Sequence, residues 1–199
     1  IDGPSLDRIA AIIAAMNIPS EALYRLLTKR IDSRDVDFDQ GTMEMPKNYF
    51  EYTLTHLGLF EVLWHKLDSK HRALLFESDA QGRAAFHFLC TLGQAGQDRE
   101  QQINQLHGII NGEQHIGQLL EILKACQPES TVTNRDFLCD LILPRRPYRT
   151  IYKWQGEDEE GNLVDPEIKW MGAHEYAARR ECYPMMELAI KQVSSGMDH

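Results

Sequence analysis

Nothing in the 199-residue chain approaches the roughly 18 consecutive apolar residues of a membrane-spanning helix, so a helical transmembrane protein is excluded. Cysteine is scarce and dispersed. Cys90, Cys126, Cys139 and Cys182 form no CxxC pair, which removes the usual zinc spacing and suits the reduced thiols of a cytoplasmic protein better than a disulfide framework. Walker, GxGxxG and GxSxG patterns are missing, and none of the 8 histidines stands in an HExxH spacing, since His174-Glu175 lacks a second His four residues on. No cofactor and no metal is expected. Basic residues are the minority, 21 against 30 acidic, and the resulting charge of −9 disfavours nucleic acid as a partner by long-range attraction. The start of the chain has no basic, apolar and small-residue order of a signal peptide, and it opens at Ile1 rather than Met, as expected of a processed form or a piece of a longer protein.

What is present is a globular balance of 43% hydrophobic and 26% charged residues, in a chain long enough for one or two domains with a real core. Apolar residues recur at helical spacing along most of it. Leu6, Ile9, Ala10, Ile13 and Met16, then Leu23, Leu26 and Leu27 after Pro19, predict a helical hairpin. Residues 30–46 are rich in Asp and Glu and read as an extended loop. Further helices are predicted over 48–57, over Phe60 to Leu67 after a separator at Gly58, and around Ile103 to Ile110, Ile116 to Leu123 and Phe137 to Ile142. Thr150, Ile151, Tyr152 and Trp154, followed by an acidic turn from Gly156 to Asn162, predict a hairpin or long finger. The chain closes with helices from Ala173 to Arg180 and from Pro184 to Val193, the second with Met186, Ala189, Ile190 and Val193 on one face and Pro184 at its first position.

Short helix pairs joined by turns call for a search for repeats. The run from Gly82 to Gly93, GRAAFHFLCTLG, resembles the ankyrin-repeat signature: a turn Gly, a Thr-Pro-Leu-His-like helix start with both first residues replaced by Ala, two small residues and a closing Gly. Gly172 to Glu181 is similar to a second copy that keeps its paired alanines, Ala177 and Ala178, and 185–190 is similar to the outer helix that follows. A weaker copy spans Asn48 to Leu67, and Asp35 to Thr42 before it resembles a hairpin finger. Phe50 and Phe86 fill the same signature position 36 residues apart, close to the ankyrin period of about 33. Small residues on an inner helix let neighbouring layers approach, and each layer buries its apolar face only against the next.

The resemblance implies an all-α, ankyrin-like solenoid of stacked helix pairs with hairpin fingers and a helical insertion. Residues 1–34 would form an N-terminal helical cap, 35–78 a repeat, 79–132 a repeat carrying the insertion 94–112 outside the stacking core, 133–160 a degenerate repeat and 161–199 the C-terminal repeat. It also implies a protein–protein interaction module, part of a larger protein, in the cytoplasm. Arrays of this kind occur in effectors secreted by intracellular bacteria, for which the location is the host cytoplasm. Partners of such arrays are gripped by finger tips and by the two positions after the paired small residues. Those positions here are Glu44, Met45, Lys47, Thr55 and His56; Ala80, Gln81, Arg83, Thr91 and Leu92; and Ile168, Lys169, Met171, Arg179 and Arg180. Five of the fifteen are basic and one is acidic, which predicts a basic strip that takes an acidic segment of another protein. Arg83 and Arg179 are expected to be replaceable without loss of stability. The sequence carries no sign that sets an oligomeric state.

The alternative is a helical enzyme, a hydrolase or transferase, in which His87 and Cys90 at i and i+3 supply a base and a thiolate. In an ankyrin frame the same two residues are a structural His and a packing residue. Asp158, Glu159 and Glu160 lack the spacing of a calcium loop and read as a solvated turn. Arg145, Arg146, Arg149 and Lys153, interleaved with Tyr148, Tyr152 and Trp154, have the composition of a nucleic-acid patch, but four acids among the next residues predict pairing within the hairpin.

Overall fold

Helix starts are set by side chains that satisfy the free amides of a first turn. In the computed structural model, which describes residues 3–31, 46–94, 108–109, 111–126, 134–153, 156–157, 163–164 and 167–195, four helices begin this way. Asn48, His56, Asp68 and Asn111 accept hydrogen bonds from the backbone N–H groups of Glu51, Leu59, His71 and Gln114. Caps of the Asn and Asp kind each stabilise by about 1 kcal/mol. The described residues are mostly helical, with little strand. Helices α1 (Gly3–Ala15) and α2 (Ser20–Leu27) precede α3 (Tyr49–Thr53), α4 (Leu57–Lys66), α5 (Ser69–Leu75), α6 (Ala85–Leu92), α7 (Gly112–Ala125) and α8 (Asn134–Ile142). A strand region follows with β1 (Tyr148–Lys153), β2 (Gly156–Glu157), β3 (Leu163–Val164) and β4 (Glu167–Met171), and α9 (Ala173–Arg179) and α10 (Tyr183–Ser195) end the chain. β1 pairs antiparallel with β4, and β2 with β3, so the expected long finger is one hairpin whose two ladders lie in series.

Helix pairs α3/α4, α6/α7 and α9/α10 pack within themselves. Between pairs, α1 lies on α4, α4 on α7 and α7 on α10, while α6 lies on α9. A single apolar core runs through these contacts, with Phe50, Phe60 and Trp64 at one end, Phe86, Leu89 and Ile116 in the middle and Tyr176, Ala177 and Met185 at the other. His115 on α7 ties two pairs together by donating from Nε2 to the Leu54 carbonyl at 2.6 Å. Burial holds its ring below the ordinary imidazole value despite that bond, so it is neutral in the folded state.

The structure departs from the sequence reading in several places. The helix predicted over 48–57 ends at Thr53, and the separator is His56 rather than Gly58, because the His56 ring caps a new helix that contains Gly58. The core stripe of α10 is Met185, Leu188 and Ala189, with Ile190 turned to solvent at 51% exposure. On α1 only Leu6 and Ala10 are fully enclosed, while Ile9 and Met16 face water. Residues 133–160 do not form a two-helix repeat: α8 leads directly into β1, and α8 packs on α7 and α10 instead of making a layer of its own. Within the insertion 94–112, the described ends are not outside the core, since Gln94, Ile109 and Gly112 are buried. Ile103, Leu106 and Ile110, the finger Asp35 to Thr42 and the turn Asp158 to Glu160 lie outside the described residues.

Close approach explains two glycines. Gly82 has φ +81°, and a Cβ there would stand 1.9 Å from the Pro147 carbonyl oxygen. A Cβ on Gly93 would meet Cys182 Sγ at 2.6 Å and Ile116 Cγ1 at 2.9 Å, so the glycine that closes α6 is where the next pair comes nearest. Of the paired alanines, Ala177 is fully buried and Ala178 is exposed, so only the first serves the stacking. Ala177→Leu should therefore lose about 1–3 kcal/mol by overpacking. Gly82→Ala should lose at least as much, because it meets backbone rather than a movable side chain. Urea unfolding of both variants checks this, and a parent-like midpoint for Ala177→Leu would remove Ala177 from a tight contact.

Candidate functional site

The residues predicted to bind a partner fall at the bases of the fingers and on the helices that follow, and their register is set by the N-caps. Asn48, Ala84 and Gly172 are the capping residues of α3, α6 and α9, so Glu51 and His87 occupy the same third helical position. Each reaches back to the turn it came from. Glu51 accepts from the Lys47 N–H at 2.6 Å, and His87 Nδ1 accepts from the Ala84 N–H at 3.0 Å. Glu51 is 3% exposed and takes a two-pronged bond from Arg83, at 2.5 Å to Oε1 and 2.8 Å to Oε2. The His87 ring is fully buried between Tyr148 and Tyr176, with ring centroids 4.2 Å and 4.6 Å away.

Asp79, which the sequence reading passed over, organises the intervening turn. Its Oδ1 accepts from the N–H groups of Gln81 at 2.9 Å and Arg83 at 3.0 Å, its own N–H donates to the Arg83 carbonyl, and its other oxygen pairs with Lys47 Nζ. Burial alone would raise the Asp79 carboxyl, but the Lys47 ammonium and the two backbone donors outweigh it and hold it below the ordinary value of 3.8. The signal was available in the spacing Asp79-Ala80-Gln81-Gly82, an Asx turn followed by the glycine at positive φ. The turn also meets the next finger, where the Arg149 N–H donates to the Gln81 carbonyl at 3.0 Å.

Against this frame the predicted strip divides. Gln81, Ala80, Ile168, Lys169 and Arg179 are exposed, and Arg180 is half-buried with its guanidinium 5.4 Å from the Tyr176 ring. Thr55, Thr91, Leu92 and Met171 are buried and present nothing to a partner; the Thr55 and Thr91 hydroxyls donate to the carbonyls of Tyr52 and His87. Lys47 and His56 are half-buried and engaged, the first with Asp79 and the second as a cap 3.5 Å from Asp7. Arg83 is the clearest correction, since its charge is spent on Glu51 inside the fold and cannot be reversed without cost to stability. Glu44 and Met45 lie outside the described residues.

Neither member of the alternative catalytic pair reaches solvent: His87 and Cys90 are both 0% exposed. The thiol with access is Cys126, half-buried with its sulfur 3.7 Å from the His65 ring, and burial pushes this thiol up. Among the described residues no group of three or more His, Cys, Asp or Glu is placed to hold a metal, and no helix is long and apolar enough to cross a membrane. Comparison of the chain with protein-family models, curated proteins and solved structures finds no match.

Removing the Arg83 side chain while Glu51 stays should be costly, because it leaves a buried carboxylate without its counter-charge. Arg83→Ala is expected to lose about 3–5 kcal/mol in equilibrium unfolding. Glu51→Gln in the Arg83→Ala background should recover part of that loss, and equal stability of single and double variants would show that the pair is not coupled. Thiol alkylation at neutral pH separates the enzyme alternative: iodoacetamide should label Cys126 slowly in the native protein and Cys90 only after unfolding. Rapid native labelling of Cys90 would reinstate it as a reactive group.

Proposed function

We propose that the chain is a protein-binding module, a degenerate array of the ankyrin type acting in the cytoplasm, and not an enzyme. The observation that carries the reading is the repeated construction of the finger base. At two successive inner helices the third helical residue, Glu51 and then His87, is tied back to the backbone of its own turn and reaches sideways to the next unit, through Arg83 in one case and Tyr176 in the other. The fingers are joined in series as well, Lys47 to Asp79 and Gln81 to Arg149. Helices α4, α7 and α10 stacked in chain order support the same reading, as does the steric need for glycine at 82 and 93. Such a frame holds finger tips rigidly in a row, and a rigid row of loops is suited to gripping another protein with little loss of conformational freedom.

On this reading the exposed finger and inner-helix positions touch the partner and the outer helices do not. A photo-crosslinking residue placed at Gln81 or Arg179 should capture the same protein from cell extract, while the same residue at Glu121 on the exposed side of α7 should capture nothing specific. Capture from Glu121 alone, or from none of the three sites, would overturn the proposal.

A further inference from the structure

The β1–β4 ribbon has two unlike faces. Tyr148 and Met171 are ladder partners; Met171 is 1% exposed, and the Tyr148 ring lies against His87 and Tyr176, so this face belongs to the core. Cross-strand partners share a face and neighbours along a strand alternate, so Arg149 and its partner Trp170 stand on the opposite face, with Ile168 two residues along. There Trp170 is 59% and Ile168 49% exposed, two large apolar side chains left in water on an element whose other side is buried. A polar side chain at those positions would serve the ribbon itself as well or better. The local charge is also inverted. Across 145–153 and 167–171 Arg145, Arg146, Arg149, Lys153 and Lys169 are basic and Glu167 alone is acidic, within a chain of charge −9.

We infer that the solvent face of the ribbon, Trp170, Ile168 and Arg149, is the docking surface for an acidic segment of another protein that carries a large apolar side chain. The apolar side chain seats on Trp170 and Ile168, and flanking carboxylates meet Arg149 and the arginines that lead into β1. This inference rests on the binding-module reading and names the chemistry of the partner. Aromatic and arginine anchors dominate such contacts, and a basic patch on an acidic protein selects acidic partners while the remaining surface repels them from other sites. The same overall charge disfavours a nucleic acid backbone at this face.

The test uses the whole chain and a fluorescent acidic peptide of Asp and Glu with one central Phe. Its controls are the same peptide with Ser for Phe, and a thymidine oligonucleotide of matched charge. At low salt the Phe peptide should bind about tenfold more tightly than the Ser peptide, and Trp170→Ser and Arg149→Ser should each weaken it by about tenfold. Raising the salt should weaken binding further, and less so in Arg149→Ser. Both variants should keep the parent circular dichroism spectrum, since the ladder and the Arg149 N–H bond to Gln81 use backbone alone. No binding of the Phe peptide, parent-like binding by Trp170→Ser, or tighter binding of the oligonucleotide would each overturn the inference. Retained capture at Gln81 and Arg179 in that event would leave the binding module standing with its site elsewhere, whereas loss of both would remove both.

Discussion

A carboxylate buried to 3% exposure is the constraint around which the first half of the molecule is arranged. Glu51 arrives in the interior because α3 must begin at Asn48, and once there it requires a full counter-charge. Arg83 supplies it from the base of the following finger, and that obliges the finger to keep one shape. The Asp79 turn, the positive φ of Gly82 and the Lys47 contact all serve to deliver the guanidinium in register. Fold and presentation are thus one problem: the geometry that neutralises Glu51 also fixes where the loop tip points.

At the next junction the same helical position does its work without charge. His87 is packed between two tyrosines, one from the ribbon and one from α9, so the long finger is anchored at its root by an aromatic cluster rather than an ion pair. The anchoring accounts for the asymmetry of the ribbon. With Tyr148 and Met171 committed to the core, alternation places Trp170 and Ile168 in solvent.

Most of the helical content was legible in the sequence, because the apolar spacing of α2, α6, α7 and α9 is regular and their ends carry caps or glycine. The errors arose where a tertiary partner decides the outcome. His56 looked like a surface residue, and its capping of α4 depends on a side-chain rotamer that periodicity does not encode. Arg83 looked like part of a basic strip, since nothing along the chain reveals that Glu51, 32 residues earlier, is buried within reach. Thr91 and Leu92 were placed on the surface by analogy of position, but α6 is enclosed on every side by neighbouring units and leaves no face for a partner. Asp79 was readable from its turn and was missed because attention went to the glycine after it.

The two junctions use one backbone plan and incompatible side chains. An acid at the third position of α3 needs a cation from the following turn, whereas the imidazole at the same position of α6 needs aromatic rings. Units of this protein are therefore not interchangeable parts. A copy of the α6 unit inserted after α3, or an exchange of the two, would set a carboxylate against tyrosines or an imidazole against a guanidinium. The array has a single permitted order, written into its joints, and it can lengthen only by acquiring a new joint rather than by duplicating an old one.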